Sequence, residues 1–246
     1  MEEENSITVI VPALNEEANL TPSIETVESV VRRFTKFEII IFNDGSSDRT
    51  GDVAREIAAK NENIRVIHHD KPKGLGYVYK AGIKLAKTEY VFLFTGDNEG
   101  TKEQIESILS LAGKADIVVP YTANPEIRPL FRQVISKAFV IVLNTIFGLR
   151  LRYYNGTVLH KSKIVNSIEI KTDSFAYQAE ALIKLIKSGH SFIEVGVNIG
   201  KRTSGSSKMF ELKNIINIAK SIFNVSLEVY FQERNKYNKR IVQITN

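Results

Sequence analysis

Short β-branched or aromatic runs alternate with helix-length segments through the first half of this 246-residue chain, which predicts an α/β fold with a mainly parallel sheet flanked by helices. Acidic punctuation ends two of the runs: Asn43-Asp44-Gly45-Ser46-Ser47-Asp48 follows 37–42, and Gly96-Asp97-Asn98-Glu99 follows 90–94. A carboxylate beside an apolar sheet costs free energy unless a partner compensates it. Ligands of open parallel sheets bind at the carboxyl ends of the strands, so the two acidic ends point to one nucleotide and metal crevice.

The runs at 7–11, 37–42, 64–67, 90–94 and 117–119 read as strands because they are short and rich in Ile, Val and Phe. Between them, 16–33, 48–60, 77–86 and 102–111 read as helices. Asn15 is positioned to cap the first of these, with Glu16 and Glu17 in its first turn. Ser46 or Ser47 can cap the second, with Asp48 following. After Val119 the pattern changes: Pro125 and Pro129 bracket a turn, a long apolar helix is expected over 130–147, another over 177–187, and a strand over 192–197.

Composition sets bounds. A chain with 43% hydrophobic and 25% charged residues is ordinary globular material, and its length favours one domain. No cysteine is present, which excludes disulfides, thiolate metal sites and a cysteine nucleophile. The acidic Met-Glu-Glu-Glu-Asn opening argues against a signal peptide. No uninterrupted apolar stretch reaches the roughly 18 to 20 residues of a membrane span. The best run, 138–149, is shorter and contains Asn144, so a soluble or peripheral chain is expected.

Charge is unevenly placed. Residues 201–246 hold nine Lys and Arg against three Glu, a net +6, which leaves the rest of a +5 chain slightly acidic. Residues 127–168 carry Arg128, Arg132, Lys137, Arg150, Arg152, Lys161 and Lys163 without an acid. Phosphate-bearing partners or an anionic membrane surface account for both zones, as does a plain solvated face. Nucleic acid is not an expected partner: no recognised signature is present, and the basic residues lie away from the acidic strand ends.

Four motifs in order carry a resemblance to a known family: Val9-Ile-Val-Pro-Ala-Leu-Asn-Glu-Glu17, Asn43 to Asp48, Lys73-Gly-Leu-Gly76, and Gly96 to Glu99. Together they resemble the nucleotide-binding half of a family 2 glycosyltransferase with the GT-A (Rossmann-like) fold. Phe175-Ala-Tyr-Gln-Ala-Glu180 and Arg202-Thr-Ser-Gly-Ser-Ser-Lys208 are similar to segments of the dolichol-phosphate mannose synthase branch, so the resemblance spans about 6–210. It implies transfer of a sugar, with inversion, from a nucleotide diphosphate sugar to a polyprenyl phosphate or related lipid phosphate. The implied location is cytoplasmic, peripheral at the inner face of the cell membrane.

Each piece has its own chemistry. Pro12, Leu14, Asn15 and Glu16 leave the first strand as a loop able to line a nucleoside pocket, while Glu16 taken alone reads first as a helix-start charge. Asp44 can accept from base or ribose, or form an Asx turn before Gly45. Lys73 and Gly74 lie in a flexible loop that can approach phosphates. Asp97 and Glu99 are the expected ligands of Mg2+ or Mn2+, which take oxygen donors and keep substrate phosphates in their shell. Family members carry Asp-x-Asp here, whereas this chain has Thr95 at the first position, with Glu99 offering a replacement charge.

On the acceptor side an ionised lipid phosphate needs cations rather than a base, and Arg128, Arg132, Arg202 and Lys208 are the candidates, Arg202 counted with the catalytic residues. The family's Ser-Gly before its next strand is here Asn155-Gly156. A saccharide hydroxyl acceptor would need a base, for which Glu180 is the first choice; alternatively Glu180 pairs with a nearby cation. A catalytically weak nucleotide-sugar binder is the third reading. His68, His69, His160 and His190 suggest no metal cluster.

Apolar residues at Met209, Leu212, Ile215, Ile216, Ile218, Ala219 and Ile222 mark a basic amphipathic helix over 209–223. It fits a bilayer surface, its own domain or a second subunit, so a homo-oligomer stays open. The expected organisation is a catalytic domain over 1–208 and a basic amphipathic C-terminal extension over 209–246.

Overall fold

The structure, a computed structural model, describes residues 5–200 and 212–245. In chain order its elements begin β1 (Ser6–Ala13), α1 (Leu20–Val31), β2 (Lys36–Asp44), α2 (Thr50–Ala58), β3 (Ile64–His69), α3 (Leu75–Leu85) and β4 (Tyr90–Leu93). They continue with α4 (Lys102–Leu109), β5 (Ile117–Thr122), α5 (Leu130–Phe147), β6 (Leu159–Lys161), α6 (Ser162–Val165), α7 (Tyr177–Lys187) and β7 (Ser191–Val197). The last are α8 (Leu212–Leu227), α9 (Arg234–Tyr237) and β8 (Val242–Ile244).

One eight-stranded sheet runs β3-β2-β1-β4-β6-β5-β7-β8. All neighbours are parallel except β6, which is antiparallel to both β4 and β5. The mainly parallel sheet flanked by helices is therefore the fold the sequence predicts. The period of two in a strand divides the core between the two faces. Ile10 and Ile40 face α3, α5 and α7, while Val9, Val11, Ile39 and Ile41 face α1 and α4.

The order also fixes where a ligand can sit. The chain steps from β1 outward to β2 and β3, then crosses back through α3 to β4 on the other side of β1. This topological switch point leaves a crevice at the carboxyl ends of β1 and β4. Gly96 N–H donates to the Pro12 carbonyl at 3.0 Å, so the Asp97 loop leaves the sheet directly beside the β1 exit.

Three local expectations are corrected. Asn15 does not cap α1: it takes a left-handed φ of 58°, which Asn tolerates, and the helix starts at Leu20. Neither Ser46 nor Ser47 caps α2: the N-cap position is Arg49, without a side-chain cap bond, and the Asp48 carboxylate before it accepts the Thr50 N–H at 2.9 Å. A helix of span length does exist, since α5 has 18 residues and a mean hydropathy of 1.5. The polar residues within it broke the uninterrupted run sought in the sequence, although length and composition suffice for a span.

The C-terminal helix and strand pack on the sheet. Val225, Val229 and Tyr237 are buried in the same core as the sheet, and β8 pairs in parallel with β7. The boundary expected at 208/209 itself lies outside the described residues.

Candidate active site

The loop after β1 is laced to the loop after β2. Asn15 N–H donates to Ser46 Oγ (3.1 Å), Ser47 N–H to Asn15 Oδ1 (2.9 Å), and Glu16 N–H to Thr50 Oγ1 (2.7 Å). Leu14 is half-buried within this loop, and the Glu16 carboxylate accepts from the Asn19 amide at 2.8 Å. Pro12, Leu14, Asn15 and Glu16 thus stand at the mouth of the switch-point crevice.

Asp44 closes β2 and is almost fully buried. Its Oδ1 accepts the Lys73 N–H and its Oδ2 the Gly74 N–H, both at 2.9 Å. The parallel register sets His69 beside Asp44, and His69 Nδ1 lies 2.7 Å from Oδ1. The approach is close: Gly45 has φ 74°, and a Cβ there would meet the Lys71 and Pro72 backbone at 2.6 Å. Lys73 Nζ donates to the Tyr77 hydroxyl at 3.2 Å and sits 4.6 Å over its ring. The structure brings Asp44, Lys73 and Gly74 into one cluster and adds His69, for which the sequence offers no local signal.

At the end of β4, Thr95 takes an unexpected role. Its hydroxyl donates to Asp97 Oδ1 at 2.7 Å, and the Glu99 N–H reaches the same oxygen at 3.2 Å across Asn98, held at φ 56°. Among the described residues both bonds fall on Oδ1, and Oδ2 is the oxygen a further ligand would meet. One such carboxylate with a second two residues on suits Mg2+ or Mn2+, since either ion uses one or two carboxylates and completes its shell with water and phosphate. No cluster of three or more His, Cys, Asp or Glu able to hold an ion unaided occurs among the described residues.

A cavity of about 410 Å³ opens beside this loop, and its lining includes Thr95, Glu99, Arg128, Arg132, Tyr153 and Asn155. Arg128 donates to the Tyr153 hydroxyl at 3.2 Å, with its guanidinium 5.8 Å from the ring. Two arginines in the same lining as Glu99 make this a place for an anion beside the Asp97 loop. Tyr153 had no signal in the sequence beyond its aromatic neighbour Tyr154.

Glu180 is placed elsewhere. Its carboxylate accepts the N–H groups of Lys171 (2.9 Å) and Thr172 (3.0 Å) and pairs with the Lys184 ammonium at 2.7 Å. It is 3% exposed and faces α8 rather than the cavity, so a base role departs from this geometry, and the pairing alternative is the one seen. Arg202 and Lys208 lie outside the described residues.

Comparison with known proteins agrees with this architecture. Residues 8–170 match the model of Glycosyl transferase family 2. Dolichol-phosphate mannosyltransferase of Pyrococcus furiosus is 26% identical over 82% of the chain, which spans 59% of that relative's length. Undecaprenyl-phosphate mannosyltransferase of Micrococcus luteus is 25% identical over 82% of the chain and 87% of the relative. Among solved structures, glucosyl-3-phosphoglycerate synthase from Mycobacterium tuberculosis, in complex with Mn2+, UDP and glucosyl-3-phosphoglycerate, superposes with a TM-score of 0.65. It is 18% identical, over 91% of this chain and 79% of that one, and shares the fold. With strand-end carboxylates at the switch point of a mainly parallel sheet and a family match over most of its length, this chain belongs to glycosyl transferase family 2 and is a glycosyltransferase.

Proposed function

We propose that this glycosyltransferase moves a sugar, with inversion, from a nucleotide diphosphate sugar to a polyprenyl phosphate at the cytoplasmic surface of a membrane. One observation carries the reading: the cavity that holds Glu99, Arg128 and Arg132 opens where α5 begins, and α5 is exposed and apolar. Leu130, Phe131 and Val134 are 74%, 60% and 59% exposed, while only Leu143 and Phe147 of the helix are buried. A soluble acceptor has no use for an apolar apron beside its anion site, whereas a lipid phosphate needs both. The relatives named as dolichol- and undecaprenyl-phosphate transferases support the same acceptor class.

In this reading Asp44, Lys73 and Gly74 receive the nucleotide with Pro12, Leu14, Asn15 and Glu16. Arg128 and Arg132, joined by Arg202 and Lys208, hold the acceptor phosphate. Asp97 and Glu99 would hold Mg2+ or Mn2+, whose charge stabilises the departing diphosphate. A phosphate oxygen is ionised at neutral pH, so alignment by the guanidiniums replaces proton abstraction. Transfer to a saccharide hydroxyl would need a base, and Glu180 is committed to Lys184.

A transfer assay tests this, pairing a panel of UDP and GDP sugars with a short-chain polyprenyl phosphate and with a soluble saccharide. Lipid-linked product with Mn2+, strongly reduced in Arg128→Ala and Arg132→Ala, is the expected result. Product on the saccharide alone overturns the acceptor.

A further inference from the structure

A buried charge network joins the C-terminal helix to the loop that carries Lys73 and Gly74. Lys184 is fully buried, and its ammonium lies 2.7 Å from Glu180 Oε1 and 2.8 Å from Glu228 Oε1, in the π-helical turn Glu228–Gln232 that follows α8. Glu228 Oε2 meets Lys171 Nζ at 2.8 Å. Hydroxyls repeat the connection: Ser221 of α8 is 2.7 Å from Thr172 Oγ1 and 3.0 Å from Ser174 Oγ. Residues 171–174 are thus held by Glu180 through two backbone N–H groups, and by α8 and its turn through side chains.

The far side of this segment presses on the start of α3. A Cβ at Gly76 would meet the Asp173 backbone at 2.7 Å, which leaves no slack between the two. Lys80 adds an ion pair to Asp173 at 2.7 Å. The N–H groups of Lys73 and Gly74, at the near end of the same turn, are the donors that Asp44 receives. Asp44 grips loop 73–76 from the sheet side, and Glu180 braces it from the α8 side through 171–174.

We propose that Glu180, Lys184 and Glu228 are positioning residues for the nucleotide loop, so that the seating of α8 and the binding of a nucleoside diphosphate are coupled. The proposal rests on the reading that Asp44 and loop 73–76 hold the nucleotide. Separating Glu228 from Lys184 leaves a buried ammonium and a buried carboxylate each short of a partner, so α8 is seated or unseated rather than gradually displaced. Coupling of this kind is reciprocal: nucleotide binding should tighten α8, and weakening of the α8 contacts should weaken nucleotide binding.

Calorimetric titration of the full chain with UDP and GDP in Mn2+ tests it, together with amide hydrogen exchange over 212–227. In Glu228→Gln the Kd is expected to rise at least about fivefold, and the slowing of α8 exchange that nucleotide causes in the unaltered chain should shrink. Ser221→Ala removes one hydroxyl without disturbing the charges, carries the test if Glu228→Gln fails to fold, and should shift both readouts the same way. Unchanged Kd in folded variants, or α8 exchange indifferent to nucleotide in the unaltered chain, overturns the coupling while leaving the nucleotide site intact. Failure of the unaltered chain to bind either diphosphate instead removes the nucleotide site, and the coupling with it.

Discussion

His69 Nδ1 lies 2.7 Å from Asp44 Oδ1, with each side chain only 7% exposed, and the pair stands at the parallel register position that ends β2 and β3. The carboxylate receives two backbone N–H groups as well, so it is oriented before any ligand arrives. Asp44→Ala should therefore do two things. It should weaken nucleotide diphosphate binding and also destabilise the fold, by about 1 to 3 kcal/mol for the buried donors left unpaired. His69→Asn, which keeps a donor near the same place, should lose less than His69→Ala on both counts. Urea unfolding and calorimetry, each with and without Mn2+, measure them. A binding loss confined to samples with metal would assign Asp44 to the cation site instead.

Asp97 is held differently, by one hydroxyl and one N–H on the same oxygen. Asp97→Ala should abolish the cation-dependent part of nucleotide binding with little change in thermal stability, because only two local bonds are lost. Thr95→Val removes the hydroxyl that orients the carboxylate, and should lower Mn2+ affinity by about tenfold, as loss of outer-shell support does. Titration of Mn2+ in the presence of UDP or GDP reads both. Equal cation dependence before and after Asp97→Ala would sink the metal assignment.

His160 should make stability fall in mild acid. It is 1% exposed in β6, and burial lowers its pKa from 6.5 to about 3. Between those values the unfolded chain binds a proton that the folded chain refuses. The stability contribution is therefore complete above pH 6.5 and shrinks as pH falls, by at most about 1.4 kcal/mol per pH unit. Unfolding free energies at pH 7, 6 and 5 should show this slope, and His160→Gln should flatten it. An equal slope in the variant would place the acid sensitivity elsewhere.

The strands and the acidic strand ends were legible because their signals are local. An Ile-rich run followed by Asn43-Asp44-Gly45 carries its meaning within a few residues, and Asp97 after 90–94 does the same. What the sequence hid was pairing at long range. His69 looked ordinary because its partner is 25 positions away and meets it only through strand register. Glu180 invited a catalytic role because nothing local reveals that Glu228, in a turn beyond α8, shares Lys184 with it. Thr95 read as a lost ligand, and only geometry gives it the task of orienting Asp97. The tail read as an appendage since charge and amphipathic spacing do not say which face packs, and Val225, Val229 and Tyr237 prove to be core.

That packing changes how membrane attachment should be tested. Removing everything after 208 would strip three buried side chains from the core, at about 2 to 5 kcal/mol for each large one. It would also leave Lys184 without Glu228, so detachment from vesicles would report unfolding rather than docking. Point changes on the exposed apolar surface separate the two. Phe131 and Val134 on α5 and Phe223 on α8 are 60%, 59% and 63% exposed, so charges there cost the fold little. Each side chain buried in a bilayer interface contributes about 1.5 to 3 kcal/mol, so Phe131→Glu with Val134→Glu should weaken binding to anionic vesicles by about a hundredfold or more, with nucleotide binding retained. Lys137, exposed on the same helix, adds an electrostatic part of about 1 kcal/mol, which high salt should remove. Flotation of the unaltered chain with anionic vesicles at low salt, reduced by salt and lost in the double variant, is the expected result. If the unaltered chain stays in the soluble fraction at low salt, the apolar face of α5 meets protein rather than lipid, and the lipid phosphate acceptor loses its physical support.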